Sequence, residues 1–254
     1  IPTTYYLKSN EQLESIINTE GFPIIIKPYN MFDNEFHRLF NNKVLKIFND
    51  KEYNMYKEKI KSIFSKVIVQ PMIQGENIAI YGYFKDDKFI SWCGCKKDYM
   101  SSWGTTVIGH SMMNNDLYVY SKDILSKIGY EGFAELEFIY DTKNKRYVIL
   151  EINSRPVQWC RLCSKVTKPI EIIPFEVINK CKFGQTYDIK ENINIYYETG
   201  LIELYDTNKI EFKDIFKYIF NSQSISMFMD IKDMKPSIRY LLTFIKSLIK
   251  SIIK

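Results

Sequence analysis

Apolar and polar positions alternate in two neighbouring segments of the chain, Phe133 to Tyr140 and Arg146 to Asn153. Both are rich in aromatic and β-branched residues, and the polar run 141–145 between them is typical of a hairpin turn. If Tyr140 pairs with Arg146, odd-numbered residues lie opposite odd-numbered ones, so one face is acidic and the other apolar. The predicted acidic face contains Glu135, Glu137, Glu151 and Asn153, and the predicted apolar face contains Leu136, Phe138, Val148, Leu150 and Ile152.

The acidic face of this hairpin is a candidate metal site. Carboxylates that share one face repel each other unless a proton or a cation neutralises them. Hard oxygen ligands suit Mg²⁺, with Mn²⁺ as an alternative ion, so we expect Glu137, Glu151 and Asn153 to bind a divalent metal. From this segment alone a solvated strand face is an equally good interpretation, because a register slip of one residue would disperse the cluster.

The rest of the chain predicts short helices and strands of an α+β fold. Phe22 to Pro28 is predicted to be a buried strand with Lys27 near its end, and Gln70 to Gly75 interrupts the pattern with Pro and Gly, as a hinge would. A polar loop around Trp103 and Gly104 is expected in the second lobe. Further helices are predicted at Asn10–Ile17, Lys51–Phe64 and Ser121–Ile128, and further strands at Lys43–Phe48, Lys66–Val69, Asn77–Phe84 and Lys88–Cys95. We therefore divide the chain into lobes at 1–69 and 70–165 and an extension at 166–254.

The last segment, Lys235 to Lys254, predicts an amphipathic helix with Lys246, Lys250 and Lys254 on its polar side. Such a helix can lie on an anionic membrane, although docking on its own domain is the commoner arrangement. Its predicted apolar stripe contains Ile238, Leu241, Leu242, Ile245, Leu248, Ile249, Ile252 and Ile253.

Composition narrows the class of protein. The 254 residues are 46% hydrophobic and 26% charged, as in packed globular proteins, and the formal charge of +5 is spread along the chain. This favours mild attraction to anionic ligands such as nucleotides and argues against a nucleic-acid-binding stripe. The sequence contains no run of eighteen apolar residues, so it predicts no membrane-spanning helix. Because the chain begins with Ile1, we expect it to be a fragment or a processed product.

The five cysteines form an odd set without a preceding signal peptide, which predicts a cytoplasmic, reducing environment and buried or free thiols. A zinc site built from the Cys93/Cys95 and Cys160/Cys163 pairs is the less favoured alternative. The two histidines, His37 and His110, lack a recognisable partner in sequence, so we expect neither to be a general base. The fifth cysteine is Cys181.

An ordered set of motifs extends over about residues 1 to 160. It comprises Ile1-Pro2-x-Thr4, FPIIIKP with Lys27, a second lysine at Lys43, VIVQPMIQG, Gly94-x-Lys96 before Trp103-Gly104, GYEGFAELEF and LEINSRP. This set resembles the ATP-grasp superfamily, and within it the carboxylate-amine ligase-like branch. The resemblance implies an α+β ATP-grasp fold in which two lobes clamp a nucleotide, followed here by a C-terminal helical extension.

The resemblance also implies roles for individual residues. Lys27 and Lys43 would hold the α- and β-phosphates of ATP, and either Asn77 or Glu76 would hold the ribose. The hinge backbone at Gln70, Pro71, Met72 and Ile73 would contact the adenine. Glu137, Glu151 and Asn153 would bind Mg²⁺, and Arg155 and Lys96 would contact an acyl phosphate or the substrate carboxylate.

The function that the resemblance implies is an ATP- and Mg²⁺-dependent ligase that joins small-molecule carboxylates to amines through an acyl phosphate. Two departures from the family leave alternatives open. The segment 29–42 contains no glycine and therefore no glycine-rich loop. The family usually has an additional N-terminal domain that helps to form the substrate pocket, and this sequence is expected to start at about the point where that domain would end. The alternatives are a nucleotide-binding module without independent ligase activity, and a peripheral membrane or interaction protein that uses its C-terminal helix.

Overall fold

The computed structural model describes residues 1–30, 34–180, 189–230 and 232–253. Within it the chain forms two compact units, Ile1–Gly75 and Glu76–Lys254. Each unit has its own clusters of buried hydrophobic residues. The boundaries predicted at residues 69 and 165 stay predictions, and residues 166–254 lie within the second compact unit.

The first unit is a four-stranded antiparallel sheet, with three α-helices among its described residues. Its core includes Ile24, Ile26, Ile47 and Val69, all fully buried. The first helix begins at Asn10, as predicted, and the side chain of Ser9 before it accepts a hydrogen bond from the amide of residue 12. The elements are β1 (Tyr5–Tyr6), α1 (Asn10–Glu20), β2 (Ile24–Pro28), α2 (Asn34–Phe40), β3 (Leu45–Ile47), α3 (Asp50–Ser62) and β4 (Val67–Pro71), and the sheet order is β1-β4-β2-β3.

The second unit is built on a seven-stranded sheet in the order β11-β10-β7-β6-β5-β8-β9. Helix α4 contributes Leu117 and Leu125 to the core on one face, and α5 contributes Leu162 and Cys163 on the other. The strands are β5 (Gly75–Lys85), β6 (Lys88–Met100), β7 (Thr106–Met112), β8 (Gly132–Asp141), β9 (Arg146–Asn153), β10 (Asn194–Tyr196) and β11 (Ser224–Ser226). The helices are α4 (Asn115–Lys127), α5 (Cys160–Val166), α6 (Ile173–Ile178), α7 (Glu198–Asp206), α8 (Phe212–Phe220) and α9 (Met234–Ile253).

Two predictions for residues 96–128 are corrected by the structure. The polar loop expected around Trp103 and Gly104 is limited to residues 101–105. The residues on either side form the end of β6 and all of β7, where Val107 and Ile108 are buried in the sheet and the sequence shows no alternation. Helix α4 begins six residues before the predicted Ser121. Its start is set by Asn114, whose side chain accepts a hydrogen bond from the amide of Leu117 at 2.9 Å.

The C-terminal extension completes the second unit. Strand β10 pairs antiparallel with β7, and β11 adds in parallel at the edge of the sheet. The predicted terminal helix is present as α9, and Phe244 and Leu248 on it pack with α7 and α8. Residues Lys254 and Cys181 lie outside the described part of the chain. No helix among the described residues has the length and apolar character needed to cross a bilayer.

Candidate functional site

The β8–β9 hairpin contains a bulge that determines which residues meet. Near the turn the pairing differs by one residue from the prediction, because Tyr140 lies opposite Tyr147 rather than Arg146. A register shift between Glu137 and Phe138 then restores the predicted parity, with odd-numbered residues opposite odd-numbered ones, but each partner lies two residues further along β9 than predicted. Beyond this bulge, Glu137 lies opposite Glu151 and Glu135 lies opposite Asn153.

The same bulge changes the apolar face. Ile149, opposite Phe138, packs with Leu136 and Leu125 in the core under α4, whereas Val148 lies opposite Ile139. The prediction that Val148 shares a face with Phe138 was therefore wrong. Its physical reason is the extra residue in β9, which reverses the parity of the strand on the turn side of the bulge.

Asn153 is the centre of the acidic cluster. Its Nδ2 lies 3.0 Å from Oε2 of Glu135, 3.5 Å from Oε1 of Glu137 and 2.9 Å from Oε1 of Glu151. Three carboxylates thus converge on one amide group from two adjacent strands. A point that collects three carboxylate oxygens is one where a cation would be stabilised.

Lys97 on β6 reaches this cluster and was not predicted to do so. Its Nζ lies 2.7 Å from Oε1 of Glu137 and 3.1 Å from Oε1 of Glu135, and its side chain is only 3% exposed. The indole Nε1 of Trp159 donates to the same Glu135 oxygen at 2.7 Å. Glu135 is therefore a buried carboxylate with three donors around it, including the amide of Asn153.

Burial and charge act in opposite directions on these groups. Burial raises the pKa of Glu137 to about 7, with further increases from Glu135 and Glu151 and a decrease from Lys97. Burial opposes the charged form of Lys97, but the Glu135 and Glu137 carboxylates outweigh that cost and raise the pKa of the ammonium. The cluster contains three carboxyl groups, Glu135, Glu137 and Glu151, and one described cation, Lys97.

The donor set fits a hard divalent cation in its chemistry. Mg²⁺ prefers oxygen ligands, and Glu137, Glu151 and the side-chain oxygen of Asn153 are ligands of that type. A 180° rotation of the Asn153 amide would place its oxygen where Nδ2 now lies. Glu135 is held by Lys97 and Trp159. Among the described residues, no group of three or more His, Cys, Asp or Glu is arranged as a ready-made metal site. Asn153 would have to serve as the third protein ligand.

The four described cysteines are free thiols, as predicted, and Cys93, Cys95 and Cys163 are buried. Burial raises the pKa of the Cys93 thiol, and it also raises that of Cys160. A buried, protonated thiol is a poor metal ligand, because the thiolate is the form that binds metal. The four described cysteines therefore have the environment of residues in a hydrophobic core.

Lys96, the predicted contact to an acyl phosphate, extends from the opposite face of β6 to Lys97. Its Nζ forms a salt bridge with Glu76 at 2.6 Å. Strand parity could have distinguished the two lysines, since Cys93, Cys95 and Lys97 share a face. Arg155, the other predicted catalytic residue, follows β9 directly and is exposed, with Nη1 3.3 Å from the carbonyl oxygen of Pro156.

The residues assigned to the phosphates and the adenine lie in the first unit. Lys27 is on β2, and the exposed Lys43 precedes the neighbouring strand β3. Because Ile26 lies opposite Leu45, both lysines are at the same end of this strand pair. Gln70 donates through Nε2 to Thr4 at 2.8 Å. Pro71 lies opposite Ile24, the amide of Met72 donates to Pro23 at 2.9 Å, and Ile73 is partly buried.

The residues assigned to the ribose lie at the start of the second unit. Asn77 lies on β5 directly opposite Lys97 on β6. The neighbouring Glu76 is engaged by Lys96. The described contacts therefore bring together Glu137, Glu151 and Asn153 from the predicted set, and add Glu135, Lys97 and Trp159 to them.

The family model for the carbamoyl-phosphate synthase L chain, ATP binding domain, matches residues 110–180. No curated protein matches the chain by sequence. The chain is similar in structure to N5-carboxyaminoimidazole synthetase from Staphylococcus aureus complexed with ADP, with a TM-score of 0.58, 13% identity, and coverage of 84% of this chain and 55% of that one. It is also similar to the ADP complex of purK, N5-carboxyaminoimidazole ribonucleotide synthetase, with a TM-score of 0.57, 11% identity and coverage of 75% and 50%.

A third similar structure is the biotin carboxylase domain of the Hydrogenobacter thermophilus 2-oxoglutarate carboxylase, in complex with MgADP, ADP and bicarbonate. Its TM-score is 0.54, with 16% identity and coverage of 76% of this chain and 46% of that one. The chain spans about half the length of the solved structures that it matches. It has an α+β ATP-grasp fold.

Proposed function

We propose that this chain is the nucleotide-binding part of an ATP- and Mg²⁺-dependent ligase that joins a carboxylate to an amine. The observation that carries this proposal is the convergence of Glu135, Glu137 and Glu151 on the amide of Asn153 within 3.5 Å. Such a cluster is costly unless a cation occupies it, and ATP brings a divalent cation with its phosphates.

We assign the metal to Glu137, Glu151 and the side-chain oxygen of Asn153, with Mn²⁺ as an alternative to Mg²⁺. Glu135 stays with Lys97 and Trp159, and so acts as the fixed charge that orients Lys97 and Asn153. When bound, the metal would supply charge neutralisation and Lewis acidity at the phosphate oxygens. The chain's own contribution is to hold the ligands on a rigid hairpin.

Nucleotide contacts are assigned within each unit separately. In the first unit, the ammonium groups of Lys27 and Lys43 would bind the α- and β-phosphates, and the backbone of 70–73 would contact the adenine. In the second unit, Asn77 is a better candidate for the ribose than Glu76, because Glu76 is already engaged by Lys96.

The proposed reaction has two steps. The substrate carboxylate attacks the γ-phosphorus, which forms an acyl phosphate and releases ADP; the amine nitrogen then attacks the acyl carbon, which forms the amide and releases phosphate. Arg155, next to the metal strand, is assigned to the charge on the transferred phosphoryl group. Lys96 is a weaker candidate, because it lies on the other face of β6 and pairs with Glu76.

A second candidate function is nucleotide binding without independent ligase activity. It is favoured by the coverage of the matched structures, of which this chain spans about half. In that case the carboxylate and amine sites would require residues outside this sequence.

Calorimetric titration of ATP, with and without Mg²⁺, tests both candidates. We expect Mg²⁺-dependent ATP binding that is lost in Glu151→Gln and kept in Asp123→Asn, a matched control on the exposed side of α4. Equal binding by the wild type and Glu151→Gln would refute the metal assignment. Release of ADP and phosphate on addition of mixed amino acids would favour the ligase, whereas Mg²⁺-ATP binding without turnover would favour the second candidate.

A further inference from the structure

Helix α9 has two apolar sides, and the described residues of the chain cover only one of them. Phe244 is buried and Leu248 partly buried in a core with Leu201 and Ile215, and the buried Ser237 closes the start of this side. The second side is defined here as the exposed stripe. Its members are Ile238, Leu241, Leu242, Ile245, Ile249 and Ile252, each 40–54% exposed.

The spacing of the exposed stripe makes it one continuous surface. At 3.6 residues per turn these six side chains fall within about 100° of the helix circumference. The covered side, with Phe244 and Leu248, borders the stripe at one edge. Soluble monomers seldom leave a contiguous aliphatic surface of this length uncovered, so the stripe requires a partner.

A row of cations borders the opposite edge of the exposed stripe. The basic row, defined as Lys235, Arg239, Lys246 and Lys250, occupies the next sector of the helix, and all four side chains are exposed. The segment 234–254 contains no acidic residue. Around the helix the order is therefore a covered apolar side, an exposed apolar side and a cationic side.

This order of surfaces fits an anionic bilayer. Aliphatic side chains of a helix that lies parallel to a membrane enter the boundary between headgroups and acyl chains, and cations beside them contact lipid phosphates. A second copy of this helix is a poorer fit, because it would bring another basic row and no acidic residue to neutralise either one.

We propose that the exposed stripe and the basic row form a docking face for an anionic membrane surface. The covered side fixes α9 to the second unit, so docking would hold that unit at the lipid surface. This inference is independent of the nucleotide site, since it uses no residue of the acidic cluster.

Co-sedimentation of the whole chain with vesicles tests the proposal. We expect binding to vesicles of phosphatidylglycerol and phosphatidylcholine that exceeds binding to phosphatidylcholine alone by about tenfold and weakens with salt. Ile245→Ser/Ile249→Ser should lose binding to both. Lys246→Gln/Lys250→Gln should lose only the preference for the anionic vesicles.

Val119→Ser/Ile128→Ser is the matched control, because it removes two exposed aliphatic side chains elsewhere, one on α4 and one directly after it. It should bind like the wild type, and far-ultraviolet circular dichroism should be the same for all variants. Absence of wild-type binding, or unchanged binding by Ile245→Ser/Ile249→Ser, would overturn the proposal. So would a wild-type dimer in sedimentation velocity that the stripe variant dissociates, because the stripe would then be a contact between copies.

Discussion

Lys97 and Glu137 form an ion pair of 2.7 Å between Nζ and Oε1, although they lie on different strands, β6 and β8. The lysine side chain is 3% exposed and also contacts Glu135, which is 4% exposed. Removal of a buried cation that serves one buried and one partly buried carboxylate costs far more than breaking a surface pair, because the carboxylates are left without a compensating charge.

Replacement of Lys97 by methionine is expected to destabilise the fold by about 3–5 kcal/mol, since it leaves buried carboxylates without their cation. Urea denaturation measures the loss. Lys96→Met is the matched control, because the adjacent lysine forms a more exposed pair with Glu76 and should cost less than about 1 kcal/mol. Equal losses in the two variants would contradict this account of the site.

Magnesium is expected to restore part of the stability lost in Lys97→Met. A divalent cation bound by Glu137 and Glu151 would supply the positive charge that the variant lacks, so Mg²⁺ should raise the melting temperature of Lys97→Met more than that of the wild type. Thermal unfolding with Mg²⁺ and with a chelator measures the difference. The effect should vanish in Lys97→Met/Glu151→Gln. If Mg²⁺ shifts both proteins equally, the cation binds elsewhere.

Glu198 at the start of α7 is expected to make stability depend on pH. Burial raises the pKa of this fully buried carboxyl, while Ser226, the backbone and Arg161 oppose that rise. The folded state then binds the proton more tightly than the unfolded state. Its contribution to stability is complete below the unfolded pKa of about 4.3 and is lost as pH rises through the folded pKa.

Glu198→Gln removes this titration and tests it. From pH 4.5 to pH 8 the melting temperature of the wild type should fall relative to that of the variant. Glu203→Gln, on the same helix, should follow the wild type across the range. Parallel curves for the wild type and Glu198→Gln would show that the Glu198 carboxyl is not the source of the dependence.

Gly200 on α7 allows the C-terminal extension to approach the sheet. A Cβ at this position would lie 2.8 Å from both methyl carbons of Val107 on β7 and 2.9 Å from the ring of Tyr197. Gly200→Ala should therefore cost about 1–3 kcal/mol by overpacking, although alanine favours a helix. Val107→Ala in the same chain should relieve part of that cost. Additive losses in the double-mutant cycle would exclude the predicted contact.

Several features of the site could be predicted from local sequence. Alternation in β8 and β9 marks the hairpin, and spacing places Glu135, Glu137, Glu151 and Asn153 on one face once a register is assumed. The buried run at β2 and the cap at Ser9 likewise depend on neighbouring residues alone. These features depend only on residues that are close together in the sequence, so they can be recognised without a structure.

The identity of the lysine in the site depended on the tertiary structure. Strand parity places Lys96 and Lys97 on opposite faces of β6, but only the packing of β6 between two layers decides that the face of Lys97 meets the carboxylates and that Lys96 meets Glu76. The bulge in β9 could not be predicted from the sequence for a similar reason. An extra residue in a strand is stabilised by the partner strand and the core, so the pairing near Tyr140 could not be read from local alternation.

The sequence by itself determined the ATP-grasp motifs, the acidic hairpin and the amphipathic character of the last helix, because each depends on residue type and short spacing. The tertiary structure alone decided which apolar side of α9 is covered, that β10 joins β7, and that Lys97 and Trp159 complete the acidic cluster. Those contacts join residues far apart in the chain, and their free energy comes from the burial of surfaces that exist only after the chain has folded.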